Sequence, residues 1–316
     1  MKIFLILNPM AGFTGFHKQV QRAAGYLSQH GCQVSWNETG GPGDAVHLAR
    51  QAADQGYDIA VAIGGDGTIN EVVNGIAGTR TALGVLPAGT ANVYAADVGI
   101  PIWWPLNPEA VIDAADILLT GQRRRVDLGR CRLESGRERY FLMWSGIGLD
   151  AAITQARKPA QPRSLSYLSW IAAGLMVAFD FMGTPATITT DEGRVSKRLL
   201  LAVASNGQLY GRIWRMAPEA KMDDGCLDVA LMSGYGWPST IKHLVGLTFR
   251  RHVKDPDFSL YRTTRLTVSA KTPLPVHVDA ETIGTTPVEI DIVPQALTIV
   301  VPRHTPPRLF SRPPEG

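Results

Sequence analysis

The segment that most narrows the fold is Ala62-Ile63-Gly64-Gly65-Asp66-Gly67-Thr68-Ile69-Asn70-Glu71. Asp58–Ile63 is an apolar run of strand length, and Ile69, Val72, Val73 and Ile76 then fall on one face of a helix. Between them stand three glycines and an aspartate, with Thr68 as the expected N-cap. A buried strand that breaks through glycines into a helix is a βα unit, and glycine lets the backbone approach a ligand closely. The N–H groups of the helix start favour an anion, so the turn suits phosphate. Gly-Gly alone would serve an ordinary tight turn equally well. Asp66 weighs against that reading, because a carboxylate among such amides repels phosphate unless a magnesium ion or a substrate hydroxyl accompanies it.

The same alternation runs through the first part of the chain. Lys2–Leu7, Gln33–Trp36 and Leu83–Leu86 read as strands. Val20, Ala23, Ala24 and Leu27, and then Ala45, Leu48, Ala49 and Ala52, keep helical spacing. Near-continuously apolar strands alternating with helices predict a parallel sheet covered on both faces. From about Val126 the texture changes to short runs rich in Val, Ile, Leu and Thr, separated by Gly, Pro and Asp. They are Tyr140–Trp144, Ala186–Thr190, Leu199–Ala204, Leu227–Met232, Arg265–Ser269, Val276–Asp279, Val288–Ile292 and Leu297–Val301. Helical insertions are expected at Ser164–Met182 and Pro238–His252. The expected fold is therefore α/β plus β: a three-layer α/β domain over residues 1–125 and a β-rich, sandwich-like domain over 126–294. Residues 295–302 are expected to return to the first domain, and the Pro- and Arg-rich 303–316 to form a disordered tail.

Composition sets outer limits. Of 316 residues, 45% are hydrophobic and 19% charged, which is a globular balance. A net charge of +3 gives no argument for nucleic acid. Cys32, Cys131 and Cys226 are odd in number and widely spaced, which predicts neither a disulfide framework nor zinc and points to a reducing cytoplasm. The first apolar run lacks a cleavage pattern and reads as a strand, and the apolar stretch Leu168–Met182 is shorter than a membrane span.

Two further turns sit at strand ends: Leu86-Pro87-Ala88-Gly89-Thr90-Ala91-Asn92 and Asn8-Pro9-Met10-Ala11-Gly12. Ligands bind at that edge of open α/β sheets. Other nucleotide motifs are absent: there is no Gly-x-x-x-x-Gly-Lys-Ser/Thr, and a dinucleotide fingerprint from Gly65 would need glycine where Asn70 stands.

Taken in order, Asn8-Pro9-x-Ala11-Gly12, Gly64-Gly65-Asp66-Gly67-Thr68, Pro87-Ala88-Gly89-Thr90-Ala91-Asn92 and Ala217-Pro218-x-Ala220-Lys221-x-Asp223-Asp224-Gly225 resemble the diacylglycerol kinase catalytic family. That family includes bacterial soluble lipid kinases and the sphingosine and ceramide kinases. Gly146-Ile147-Gly148-Leu149-Asp150-Ala151 and Ser205-Asn206-Gly207-x-x-Tyr210-Gly211 fit the same pattern. The resemblance implies a phosphofructokinase- and NAD-kinase-like first domain and transfer of the ATP γ-phosphate to a lipid hydroxyl, with Mg2+. Carried over by motif, it implies an ATP site of Thr39, Gly64, Gly65, Asp66, Gly67, Thr68, Ile69, Asn70, Glu71, Gly89, Thr90 and Asn92. It places magnesium on the backbone carbonyls of Lys221 and Cys226 and the carboxylate of Asp224, with Asp279 in the surrounding network.

The family's Asp-Gly-Glu is Asp279-Ala280-Glu281 here. Glu281 is the general base by resemblance to the bacterial members, and Asp66 by resemblance to the sphingosine kinases; we favour Glu281, with Asp66 orienting the phosphates. Ala280 would be strained if the family conformation needs positive φ. Arg212 replaces a second glycine after Gly211, and Trp144 a frequent asparagine. Leu165, Leu168, Trp170, Leu175, Met176, Phe179 and Phe181 serve either as core or as a lipid-facing helix, with Trp103-Trp104 beside them. Arg123–Arg125 and Arg250-Arg251 are either solvated or in contact with headgroups. The expected partner is a lipid at a membrane surface, reached from the cytoplasm, and the reading admits peripheral membrane contact and a homodimer. The rivals are a kinase of a soluble acceptor such as NAD and a nucleotide-binding regulator without turnover.

Overall fold

The structure, a computed structural model, describes residues 1–11, 16–103, 106–156 and 177–315. They form two compact units: Met1–Leu128, Met222–Asp224 and the chain from Pro294 in one; Gly129–Lys221 and Gly225–Val293 in the other.

In the first unit the strands are β1 (Lys2–Leu7), β2 (Gln33–Glu38), β3 (Ile59–Gly64) and β4 (Ala82–Pro87). They pair in parallel in the order β2, β1, β3, β4. The register aligns Leu7 with Ile63 and Gly64 with Pro87, so the three glycine-bearing turns leave the sheet at the same edge. β3 and β4 are buried along their whole length, which explains their unbroken apolar sequence. Helices α1 (Phe16–Gln29), α2 (Asp44–Asp54) and α3 (Asp66–Ile76) bury the faces that their periodicity marks: Val20, Ala23 and Leu27; Ala45, Ala49 and Ala52; and Ile69, Val72, Val73 and Ile76. Two further helices, α4 (Val93–Val98) and α5 (Ala110–Thr120), complete the unit. At the α2–α3 contact a Cβ on Gly75 would lie 2.5 Å from Ala49 Cβ and 2.6 Å from the Val46 carbonyl.

Two strands run through both units. They are β5 (Gln122–Leu133) and a long C-terminal strand, Val288–Val301, which is the seventeenth in chain order. The latter is antiparallel to its neighbour over Val288–Asp291 and parallel to β4 at Ile299. The expected strands Val288–Ile292 and Leu297–Val301 are thus one strand.

The second unit is an antiparallel ladder. Its strands are β6 (Glu138–Phe141), β7 (Trp144–Gly148), β8 (Thr184–Thr190), β9 (Gly193–Ser205), β10 (Leu209–Tyr210), β11 (Trp214–Arg215), β12 (Leu227–Ser233), β13 (Phe258–Thr263), β14 (Arg265–Ala270), β15 (Pro275–Val278) and β16 (Glu281–Thr285), ending in β17 (Val288–Val301). The path β16, β15, β7, β9, β8, β14, β17 carries much of the core, including Ile147, Leu199, Val268, Val276 and Ile290, and Phe141 of β6 and Val229 of β12 pack with it. The expected strand Tyr140–Trp144 is instead two, broken at Leu142–Met143. Helices α6 (Leu149–Ala156) and α7 (Gly236–Thr248) belong to this unit. α7 starts before and ends before the expected Pro238–His252. Most of the expected insertion Ser164–Met182 lies outside the described residues, with Leu165, Leu168, Trp170, Leu175 and Met176; so does Trp104. Phe179 is exposed, while Phe181 packs against the core.

The expectation of a disordered tail over 303–316 is corrected. Thr305, Leu309 and Phe310 are buried in the first unit, and the Arg124 guanidinium sits 4.3 Å from the Phe310 ring centroid. Three apolar or hydrogen-bonded anchors among prolines and arginines suffice to hold the segment, which composition alone obscured.

Gly75→Ala should therefore destabilise the fold by about 1–3 kcal/mol through overpacking of α2 on α3, read as a lowered denaturant midpoint.

Candidate active site

The first unit gathers its glycine turns by backbone contact. A Cβ on Gly89 would stand 2.3 Å from Gly65 Cα, and one on Gly64 would stand 2.4 Å from Thr68 Oγ1. No side chain fits at either place. Asn92 has φ +49, and its side chain closes the second turn on itself: Oδ1 accepts the Gly89 N–H at 2.9 Å, and Nδ2 donates to the Gly89 carbonyl at 2.7 Å. Asn8 joins the remaining turn to α3, donating from Nδ2 to Thr68 Oγ1 at 3.1 Å and accepting from Met10 N–H at 2.9 Å. Gly12 lies outside the described residues.

Thr68 is not the N-cap. α3 begins at Asp66 with Gly65 as its cap residue, and Thr68 is buried under Gly64. Asp66 Oδ1 accepts the Val93 N–H at 2.8 Å, tying the start of α3 to the start of α4. Glu71 faces the other way and caps α2, accepting from Gly43 and Ala45 N–H at 3.0 and 3.1 Å. Ile69 and Asn70 are buried, and Asn74 Nδ2 donates to the Asn70 carbonyl at 2.8 Å. Thr39, at the end of β2, is nearly buried and donates its N–H to Leu7. What this edge offers to solvent is chiefly backbone, at Gly65–Gly67 and Gly89–Thr90. A helix start reached through glycines, which leave room for close approach, suits an anion.

The segment Lys221–Cys226 is a turn, with Gly225 at φ +78. Of its adjacent aspartates, Asp223 is committed to the chain's C-terminal segment. Its carboxylate accepts from Ser311 N–H, Ser311 Oγ and Arg312 N–H at 2.5, 2.8 and 2.9 Å. Asp224 is partly exposed, as are Lys221 and Cys226. Carbonyl oxygens of such a turn with one carboxylate would make a hard-oxygen donor set of the kind magnesium takes. Among the described residues no three His, Cys, Asp or Glu side chains cluster as a metal site.

In the second unit the hairpin β15–β16 turns through Asp279 (φ +42) and Ala280 (φ +68). Two consecutive left-handed residues make the turn type that favours Asp-Gly. Asp279 is buried, and its carboxylate accepts three backbone N–H groups: Leu142 at 2.8 Å, and Met143 and Trp144 at 3.0 Å. That nest explains why the strand breaks at Leu142–Met143. Glu281 follows, partly exposed, with Oε2 at 2.6 Å from Arg139 Nη2 and Oε1 at 3.5 Å from Arg137 Nη2. Arg212 also lies at positive φ, +72, so both glycine replacements sit where glycine is the easiest residue.

Beside the hairpin is a group that motif reading did not single out. His277 Nε2 lies 2.5 Å from Asp150 Oδ2, both buried. The Ala280 N–H donates to His277 Nδ1 at 3.2 Å, which leaves the ring proton on Nε2, facing Asp150. Burial opposes the Asp150 charge, but the neighbouring His277 and hydrogen bonds from the His277 and Tyr210 side chains outweigh it and hold the carboxyl below its ordinary pKa. Burial and the same carboxylate push Tyr210 well up. Asp150 and Tyr210 form the polar wall of a cavity of about 180 Å³ lined mainly by apolar side chains, among them Leu149, Ile153, Leu200, Met232, Leu244 and Leu247. The spacing Gly146-x-Gly148-x-Asp150 is the signal that was available: a Cβ on Gly146 would stand 2.3 Å from His277 Nε2 and 2.5 Å from Asp150 Oδ2.

Comparison with known proteins decides what this arrangement belongs to. The diacylglycerol kinase catalytic domain matches residues 2–131, and the YegS C-terminal NAD kinase β-sandwich-like domain matches residues 145–301. The chain carries a diacylglycerol kinase catalytic domain followed by a YegS-type C-terminal domain. Its relatives include a diacylglycerol kinase of Bacillus subtilis, 27% identical over 95% of this chain and 96% of that protein. A diacylglycerol kinase of Mycobacterium tuberculosis is 29% identical over 96% of both. A YegS-like lipid kinase of Chromohalobacter salexigens is 28% identical over 95% and 93%. A crystal structure of a diacylglycerol kinase from Bacillus anthracis shares the fold, with TM-score 0.73, 22% identity and coverage of 96% and 98%. The matched catalytic domain and these kinase relatives make the chain an ATP-dependent kinase with a hydroxyl acceptor, of the lipid-kinase class. No helix among the described residues is long and apolar enough to cross a membrane.

Two substitutions test this geometry. Gly89→Ala should weaken ATP binding about tenfold or more while the chain still folds, measured by calorimetry. Ala280→Gly should relieve left-handed strain and raise stability by about 0.5–1 kcal/mol, measured by denaturant unfolding.

Proposed function

We propose that the chain phosphorylates the free hydroxyl of diacylglycerol. The observation that carries this reading is the pairing, within one chain, of a side-chain-free glycine edge suited to phosphate with an apolar cavity bearing one buried carboxylate. The first matches a triphosphate. The second matches an acceptor with a hydrocarbon body and a polar end, and it does not match NAD. The relatives named diacylglycerol kinase support the choice of acceptor.

In this reading the N–H groups of Gly65–Gly67 and Gly89–Thr90 hold the phosphates, and Asp66 keeps the two turns in register through α4. Lys221 and Cys226 carbonyls and the Asp224 carboxylate would hold magnesium, which when bound neutralises phosphate charge. Asp279 acts on this site by fixing the Leu142–Trp144 loop, because its carboxylate is already engaged by three N–H groups. Glu281 takes the hydroxyl proton. Its Oε2 is shared with Arg139, so proton transfer requires that ion pair to loosen or to relay charge. Asp150 and Tyr210 orient the acceptor's polar end, and the cavity receives part of its hydrocarbon.

Incubation with γ-labelled ATP, magnesium and dioctanoylglycerol beside sphingosine and NAD should place label in the glycerolipid. Label in NAD alone would overturn the assignment. Glu281→Gln should lower turnover by about 100- to 10,000-fold with ATP affinity kept. Lost ATP binding would instead remove Glu281 from the base role.

A further inference from the structure

Large apolar side chains open to solvent concentrate on one region of the second unit. Tyr235, Trp237, Val245, Phe249 and Val253, on α7 and its flanks, are 49–69% exposed. Trp237 stacks on the exposed Phe179, with ring centroids 6.3 Å apart. Trp214 donates from its indole N–H to Thr248 Oγ1 at 3.2 Å, which sets the exposed loop Arg212–Ile213 against the end of α7. These contacts join separate chain segments into one apolar surface.

Cations outnumber acids around it. Arg212, Arg250, Arg251 and Lys254 are exposed and form no ion pair among the described residues. Of the nearby acids, Asp255 and Asp257 share Lys242, whose Nζ lies 2.7 Å from Asp255 and 2.5 Å from Asp257, and Asp180 beside Phe179 is exposed. Along Phe249-Arg250-Arg251-His252-Val253-Lys254 cations alternate with exposed apolar side chains. An apolar helix face rimmed by unpaired cations matches the interfacial plane of an anionic bilayer.

The helix also links this surface to the cavity. His243 and Leu247 line the cavity from α7, while Ile241 and Leu244 line it and are at the same time exposed. A protein seated on this face would cover that rim. A bilayer would leave it open to acyl chains.

We propose that α7 and its flanks, with Trp237 and Phe249 entering the interface and Arg250, Arg251 and Lys254 on headgroups, dock the protein on anionic membranes beside the cavity's rim. This rests on the lipid-acceptor reading above. It fixes where the acceptor is met: the substrate enters sideways from the leaflet and not through water.

The test is flotation with phosphatidylcholine vesicles, with and without phosphatidylglycerol. The full chain is compared with the double variants Trp237→Ser/Phe249→Ser and Arg250→Glu/Arg251→Glu. The unaltered protein should float only with anionic vesicles, and each variant should lose about tenfold or more of that binding. Turnover of monomeric dioctanoylglycerol should be unchanged in both variants, which also shows that they fold. Equal flotation of variants and unaltered protein would overturn the docking surface while leaving the kinase reading intact. So would a concentration-dependent dimer that either variant dissolves without effect on vesicle binding. Failure to phosphorylate dioctanoylglycerol in the unaltered protein would strike the acceptor reading instead.

Discussion

The near contact of two backbones, at Gly65 and Gly89, is the constraint on which the first unit's chemistry depends. With no Cβ on either residue, the turns after β3 and β4 lie against each other. Asp66 then bridges the helices that follow, and Asn92 locks the second turn internally. The result is an edge whose polar groups are peptide N–H groups with fixed directions. Such groups need no reorganisation when charge arrives, which is why backbone serves better here than flexible lysines.

The second unit uses buried carboxylates as organisers. Asp279 gathers three successive N–H groups and thereby sets the loop before β7. Asp150, on the wall of a mainly apolar cavity, is held below its ordinary pKa by His277 and Tyr210. The two are linked through the hairpin turn, since Ala280 donates to the imidazole that faces Asp150. A buried charge is tolerated only where donors converge on it, so each of these carboxylates fixes the positions of several neighbours.

Much of this was legible from residues alone. Unbroken apolar strands and helical stripes located the parallel sheet, because burial on both faces leaves a strong compositional trace. The glycine turns were legible because close backbone approach excludes other residues. Ala280 was recognised as a departure, and its φ of +68 gives the reason glycine is usual there. Less legible were features set by distant contacts. The role of Thr68 changed because α3 starts earlier than a hydroxyl cap suggested, and Glu71 caps a helix more than twenty residues upstream. The ordered C-terminal segment depends on Asp223, which no local pattern connects to Ser311. The Asp150–His277 pair spans 127 residues of sequence, beyond the reach of periodicity.

The passage of Val288–Val301 through both units bears on how the protein comes into being. The strand beside β4 is made long after β4 itself, as are the segments Met222–Asp224 and Pro294 onward that complete the first unit. During synthesis the first unit's sheet therefore emerges with β4 unpaired on one side. A product ending before Val288 would lack a structural part of the half it still encodes, the strand that pairs with β4 and the segment from Pro294 onward.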